Sequence, residues 1–152
     1  MAENVAAWNR LPARQRASVH LLSLPVEDRL ENAVVVNALQ RHADVVVQKS
    51  LAEGFGLTVA EAMWKRRPVI GSRVGGIQEQ IVDGRSGLLV NATDLKAFGE
   101  AVSSLILDVG FAQAIGHAAR ARVRARYLPS HFLGAHLELV QGILTDGKRP
   151  KR

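Results

Sequence analysis

Short apolar runs punctuate the first ninety residues at regular intervals. "VHLLSL" (19–24), "DVVVQ" (44–48), "PVIGS" (68–72) and "GLLV" (87–90) are brief, rich in branched residues and mostly flanked by turn formers. They do not alternate apolar with polar, which predicts strands buried on both faces. Helical periodicity fills the gaps. Residues 29–42 bring Leu30, Val34, Ala38 and Leu39 to one side, residues 58–66 do the same with Val59, Ala62 and Met63, and residues 77–82 set Ile77 four before Ile81. Strand, helix, strand at this spacing predicts βαβ units and an α/β fold with a parallel sheet. From residue 94 onward the pattern is helix alone. Residues 94–107 carry Leu95, Phe98, Val102, Leu105 and Ile106, and residues 111–127 carry Phe111, Ile115, Ala119, Val123 and Tyr127. Pro129 ends that helix and Ser130 is expected to cap the next, which runs to about Leu144 with Phe132, Leu133, Leu137, Val140 and Leu144 on an apolar stripe.

Composition narrows the class. With 152 residues, 47% of them hydrophobic and 22% charged, the chain fits one soluble domain. The absence of cysteine excludes disulfides and thiolate metal sites. The histidines (His20, His42, His117, His131, His136) lack metal-ligand spacing, so no metal and no resident cofactor are expected. No apolar run reaches membrane-spanning length, and the polar start lacks the apolar middle of a signal peptide, so a cytoplasmic protein with no membrane partner is expected. Of the net charge of +6, Lys148, Arg149, Lys151 and Arg152 supply four, in residues 146–152 that read as a disordered basic tail. Arg120, Arg122, Arg124 and Arg126 step by two along a helix, which scatters them around it. A solvated surface is favoured over nucleic-acid contact, and no nucleic-acid partner is expected.

The chemistry concentrates in "SLAEGFGLTVAE", residues 50–61. A glycine turn, Gly54-Phe55-Gly56, follows an expected strand and precedes an expected helix. Glycines let backbone amides approach a ligand closely, and the free amides and dipole of a helix start attract an anion. The loop is no P-loop, since no Gly-Lys-Ser/Thr follows, and it lacks the third glycine of a dinucleotide fingerprint. Glu53 and Glu61 bracket it. A phosphate alone has no use for two carboxylates, whereas a ligand with phosphate in the middle and hydroxyls at both ends does. A purely structural alternative exists: Thr58 and Glu61 fit a helix capping box. Glu53 also reads as a solvated loop residue, and Gly75-Gly76 as a tight turn before a helix.

"EGFGLTVAE" is similar to the Glu-x7-Glu signature of retaining family-4 glycosyltransferases, and "AMWKRRPVIGSRVGGIQEQIVDGRSGLLV" resembles the segment that follows it in that family. The resemblance covers at least residues 19–127. "NALQRHADVVVQKS" and "EAMWK" look most like the branch of trehalose synthases and trehalose phosphorylases. The resemblance implies a GT-B enzyme, with two Rossmann-like domains and the active site between them. Residues 1–145 would form part of the C-terminal domain, which binds the nucleoside diphosphate sugar. Glu61 would then accept hydrogen bonds from ribose hydroxyls and Glu53 from hydroxyls of the transferred sugar. The amides of Phe55, Gly56 and Leu57 would face the sugar and distal phosphate, and Thr58 the diphosphate.

The same resemblance implies what this chain lacks. The acceptor-binding N-terminal domain and the first two strands of the donor domain have no counterpart. Neither has the basic pair that clamps the leaving diphosphate, and Arg10, Arg14 and Arg16 fall in an expected helix instead. No catalytic residue is identified, and activity of this truncated chain alone is not expected. An acceptor sugar would engage only with the missing domain supplied. Uncovered apolar faces point to a second copy or a partner chain. Two function classes stay open: the donor-binding part of a hexosyltransferase, trehalose-synthase-like and glucosyl-transferring, or a non-catalytic nucleotide-binding or interaction module that pairs with another chain.

Overall fold

The computed structural model describes residues 2–24 and 28–146. The tail expected at 146–152 lies outside them from residue 147 on. The chain divides into two units, Met1–Asn37 and Ala38–Arg152.

The first unit holds α1 (Ala2–Asn9), α2 (Ala13–Arg16) and the start of α3 (Arg29–His42). Arg10 sits in the turn after α1 rather than in a helix, and its Nε donates to the Ala6 carbonyl at 3.2 Å. Arg16 lies over the Trp8 ring, 5.3 Å from its centroid, and Trp8 Nε1 donates to the Val19 carbonyl at 2.8 Å. Residues 19–24 form no strand, contrary to the expectation from "VHLLSL", and Leu22 is 62% exposed. A strand exists only by pairing, and among the described residues this segment has no ladder to join. Helix α3 matches its expected limits because Asp28 Oδ1 accepts from the amides of Leu30 and Glu31, both at 2.9 Å. Its apolar row does not behave as expected: Leu30, Val34 and Leu39 are all exposed, and Gln40 is the residue α3 buries.

The second unit is a three-stranded parallel sheet in the order β1 (Val46–Gln48), β2 (Val69–Ser72), β3 (Leu88–Val90). Val47 aligns with Ile70 and Gly71 with Leu89. The crossovers are α4 (Leu57–Trp64) and α5 (Gly75–Gln80). Then come α6 (Leu95–Leu107), α7 (Val109–Arg126) and α8 (Pro129–Asp146). Burial on both faces holds for β2 alone. Val47 on β1 is 44% exposed, because β1 and β3 are edges.

Central strand β2 feeds two cores through its alternation. Val69 joins Val59, Ala62, Met63, Ile77, Ile81, Ala119 and Val123, between the sheet, α4, α5 and α7. Ile70 joins Val90, Phe98, Leu105 and Ile115 beneath α6 and α7. Each large side chain so buried contributes roughly 1.5–3 kcal/mol. The expected rows of α4 and α7 are therefore core rows. In α6, Leu95 and Ile106 are exposed while Phe98 and Leu105 are buried. Asp94 and Asp108 cap α6 and α7, their Oδ1 atoms accepting from Ala97 at 2.9 Å and Phe111 at 2.8 Å. Helix α8 starts at Pro129, in the first-turn position proline favours, so Ser130 lies inside the helix rather than at its cap. Leu133, Leu137, Val140 and Leu144 along α8 are all exposed. The Phe132 side chain lies outside the described residues.

Candidate functional site

The segment from residue 49 to 56 connects the C-terminal end of β1 to the start of α4. Its beginning is fixed to the neighbouring strand: the Ser50 amide donates to Oγ of the fully buried Ser72 at 3.0 Å, and Gln48 Nε2 donates to Ser50 Oγ at 3.0 Å. Its end is Gly56, which caps α4 in the left-handed conformation (φ 82°) with no side-chain cap bond. Helix α4 therefore starts at Leu57 and Thr58 is its second residue. The capping-box alternative fails for that reason, since a cap residue must stand just outside the helix. Among the described residues the Glu61 carboxylate has no hydrogen bond or ion pair, nor has that of Glu53.

The amides of Val59 and Ala60 both turn back to the Gly56 carbonyl, at 3.0 and 3.2 Å. Those of Phe55, Gly56, Leu57 and Thr58 find no acceptor among the described residues, as expected at the open end of a helix. Leu57, Glu61 and Trp64 fall at i, i+4 and i+7 on α4, with Leu57 and Trp64 exposed and Glu61 half-buried. Helix α4 is also held from outside, next to that row: Gln40 Nε2 donates to the Thr58 carbonyl at 3.4 Å, and Lys65 Nζ donates to Gln40 Oε1 at 2.6 Å.

The glycine loop rests on α5. The Gly76 amide donates to the carbonyls of Gly54 at 3.0 Å and Glu53 at 3.3 Å. A Cβ on Gly75 would lie 1.8 Å from the Glu53 carbonyl oxygen, and one on Gly76 would lie 2.3 Å from that of Gly54. The Gly75-Gly76 pair is thus the seat of the loop, beyond the tight turn expected from the sequence. Gln80, 1% exposed, donates through Nε2 to the Phe55 carbonyl, while its Oε1 has no partner among the described residues. Helix α7 grips the far end of α5. Arg122 donates from Nε to the Gln80 carbonyl at 2.6 Å and from Nη2 to the Glu79 carbonyl at 2.7 Å, and the Tyr127 hydroxyl donates to Glu79 at 2.8 Å. The Tyr127 ring meets Phe55 edge-on, 6.0 Å between centroids.

From the sequence alone, Arg122 reads as part of a solvated helix surface and Tyr127 as part of an apolar row, Gln80 is passed over, and none of them is connected with the loop. The one local signal was a glutamine wedged beside the apolar pair Ile77 and Ile81.

The neighbouring turn after α5 is organised by Asp83. Its Oδ1 accepts from the Leu89 amide at 2.9 Å, and its Oδ2 pairs with Arg73 Nη2 at 2.5 Å. Burial works to raise the Asp83 pKa, but these bonds and the Arg73 charge outweigh it and hold the carboxyl below its ordinary value.

A glycine loop at the carboxyl end of parallel strands, leading into a helix whose first amides are free, is an anion cradle of the α/β kind. The flanking unpaired carboxylates add acceptors for hydroxyl groups. Comparison with known proteins gives the family. The profile of the family described as "Glycosyl transferases group 1" matches residues 29–122. A trehalose synthase from Thermococcus litoralis is 45% identical over 105 residues, 69% of this chain and 25% of that protein. One from Rubrobacter xylanophilus is 46% identical over 112 residues, 74% of this chain and 26% of that protein. Among solved structures, a sucrose-phosphate synthase from Thermosynechococcus elongatus superposes with a TM-score of 0.64 at 32% identity, over 76% of this chain and 28% of that one. The C-terminal domain of a group 1 glycosyltransferase from Francisella tularensis superposes with a TM-score of 0.61 at 27% identity, over 71% of this chain and 53% of that one. The chain spans about a quarter of the length of the trehalose synthases it matches. Its three-stranded parallel sheet with flanking helices is shared with GT-B enzymes, and the chain belongs to the group 1 glycosyltransferases.

Proposed function

We propose that this chain supplies the donor-binding part of a retaining hexosyltransferase, which moves a glucosyl group from a nucleotide sugar to an acceptor sugar as a trehalose synthase would. The donor-binding domain lies within residues 1–145. The observation that carries the reading is the run of unpartnered amides from Phe55 to Thr58, with two unpaired carboxylates beside it. In this reading the diphosphate sits at the amides of Leu57 and Thr58, where the helix start offsets the charge that develops as it leaves. Phe55, Gly56 and Leu57 face the sugar, Glu53 accepts from its hydroxyls, and Glu61 accepts from the ribose. The acceptor sugar and the remaining catalytic groups belong to a second domain outside this chain. A cytoplasmic setting belongs to the same proposal. No single helix among the described residues is long and apolar enough to cross a membrane.

Titrating the purified chain with nucleoside diphosphates and their glucose conjugates tests the reading. Glu61→Gln is expected to weaken nucleotide binding by about 1 kcal/mol, the difference between a charge-assisted and a neutral hydrogen bond, with little loss of stability. Equal affinity in a folded Glu61→Gln variant would remove Glu61 from the ribose.

The stripe on α8 bears on the partner of this domain. Leu133, Leu137, Val140 and Leu144 are exposed at spacings of four, three and four. The chain on its own is expected to cover the stripe by pairing with a second copy. Sedimentation of the wild type and of Leu137→Ser/Val140→Ser checks this. A monomer at high concentration in both would dismiss self-association.

A further inference from the structure

Helix α4 ends in a turn whose sequence goes against local preference. The Arg66 amide returns to the Met63 carbonyl at 3.1 Å and the Arg67 amide to the Ala62 carbonyl at 3.0 Å. This is the Schellman pattern, whose left-handed position usually holds glycine. Here that position is Arg66, with φ 61°, the one non-glycine residue with positive φ among those described. An L side chain there is strained. Strain of this kind persists where surroundings fix it, and it gathers at ligand clamps.

The surroundings of Arg66 are basic. A cavity of about 500 Å³ opens beside it, lined by Arg66, His117, Arg120, Ala121, Arg124 and Ala125. No carboxylate among the described residues lines it, and α7 contains no Asp or Glu. The ion pairs among the described residues, Arg73–Asp83 and Lys96–Glu100, include none of the three arginines, and the carboxylate of a neighbouring cavity is Asp44, which lines it with Arg66 and Arg67. Two of the guanidinium carriers are positioned in advance. Arg120 is stacked on Trp64, 4.8 Å from the ring centroid. The Arg66 backbone is pressed against Gly116, where a Cβ would lie 2.2 Å from the Arg66 carbonyl oxygen. The four arginines of α7 are therefore not an even scatter. Arg120 and Arg124 line this cavity, while Arg122 and Arg126 line a separate one with Arg85.

We propose that this cavity is a phosphate-binding site, in which Arg66, Arg120 and Arg124, with His117, hold a phosphoryl group bearing two or more negative charges. It lies at the C-terminal end of α4, about 12 Å along an eight-residue helix from the glycine loop, and stands independently of the donor-site reading. Guanidinium groups recognise phosphate oxygens by paired, charge-assisted hydrogen bonds, and three of them without a carboxylate fit a dianion. Arg66 supplies one of these groups at the expense of local backbone comfort.

The decisive variant is Arg66→Gly, because it is expected to move stability and phosphate binding in opposite directions. Glycine relieves the left-handed strain, so the variant is expected to unfold at the same or a higher temperature than wild type. Its affinity for phosphate at this cavity is nevertheless expected to fall about tenfold, the loss of one charged hydrogen-bonding group. Inorganic phosphate, pyrophosphate and ribose 5-phosphate are titrated at constant ionic strength in chloride, following the amide signals of Arg66 and residues 117–124 by NMR. Those of residues 55–58 report the glycine loop separately. Saturable shifts at Arg66 and 117–124 that weaken in Arg66→Gly and in Arg120→Gln support the site. Tighter binding of ribose 5-phosphate than of phosphate identifies an ester as its ligand, and equal binding identifies the phosphoryl group itself. Shifts confined to residues 55–58, no saturable shifts, or undiminished affinity in a folded Arg66→Gly would overturn the proposal.

Discussion

Gly76→Val is expected to detach the glycine loop from its seat. A Cβ at residue 76 would lie 2.3 Å from the Gly54 carbonyl oxygen and 2.8 Å from the Phe55 Cα. These are backbone atoms, which cannot swing aside as a side chain does. The Gly76 amide would also lose its acceptors at Glu53 and Gly54. Overpacking alone typically costs about 1–3 kcal/mol, and the loss of this one shared donor's hydrogen bonding adds about 1 kcal/mol. A destabilisation of about 3 kcal/mol or more in urea is expected, together with loss of nucleotide binding. Gly75→Ala should act in the same direction, since its Cβ would meet the Glu53 carbonyl at 1.8 Å and its φ is 42°. Wild-type stability and loop amide signals in both variants would show that α5 does not support the loop.

A comparable loss is expected at Gly116, far along the sequence from the loop. Gly116 is buried where α7 crosses the end of α4, and a Cβ there would meet the Arg66 carbonyl oxygen at 2.2 Å and its carbon at 3.1 Å. Gly116→Val must push α7 away from α4. Ala119 and Val123, 0% and 4% exposed in the shared core, would then lose their contacts with Met63 and Val59. Strain and lost packing together place the expected cost at roughly 2–5 kcal/mol. Urea denaturation followed by far-ultraviolet circular dichroism measures it. A change under about 0.5 kcal/mol, the range of ordinary surface substitutions, would mean that the crossing is looser than its geometry.

The regular core was legible in the sequence because its signals are local. The apolar rows of α4 and α7 and the run Val69–Ser72 each act within a turn or a strand of themselves, whereas the caps Asp94 and Asp108, equally local, were passed over. The members of the loop were legible too, since glycine and glutamate spacing is read along the chain. What failed depended on partners. "VHLLSL" has the composition of a strand, but composition cannot provide a neighbour to pair with. The row on α3 has helical period, and it is nonetheless exposed. Thr58 and Glu61 have capping-box spacing, but Gly56 adopts a left-handed turn and takes the cap position itself. The support of the loop could not be read because it is non-local. Gly76 reaches back about twenty residues, and Arg122 and Tyr127 reach Gln80 and Glu79 across 42 and 48.

Helix α5 has six residues, too few to persist by hydrogen bonding along its own length. Its N-terminus seats the glycine loop, and its last carbonyls are held by Arg122 of α7 and by Tyr127, the residue just after that helix. The loop and α7 are therefore expected to open as one cooperative unit. In native-state hydrogen exchange the Gly76 amide should share the opening free energy of the α7 amides around Val123, and it should not fray at the faster rate of an exposed turn. The glycine loop is then expected to be as durable as a helix that begins more than fifty residues after it.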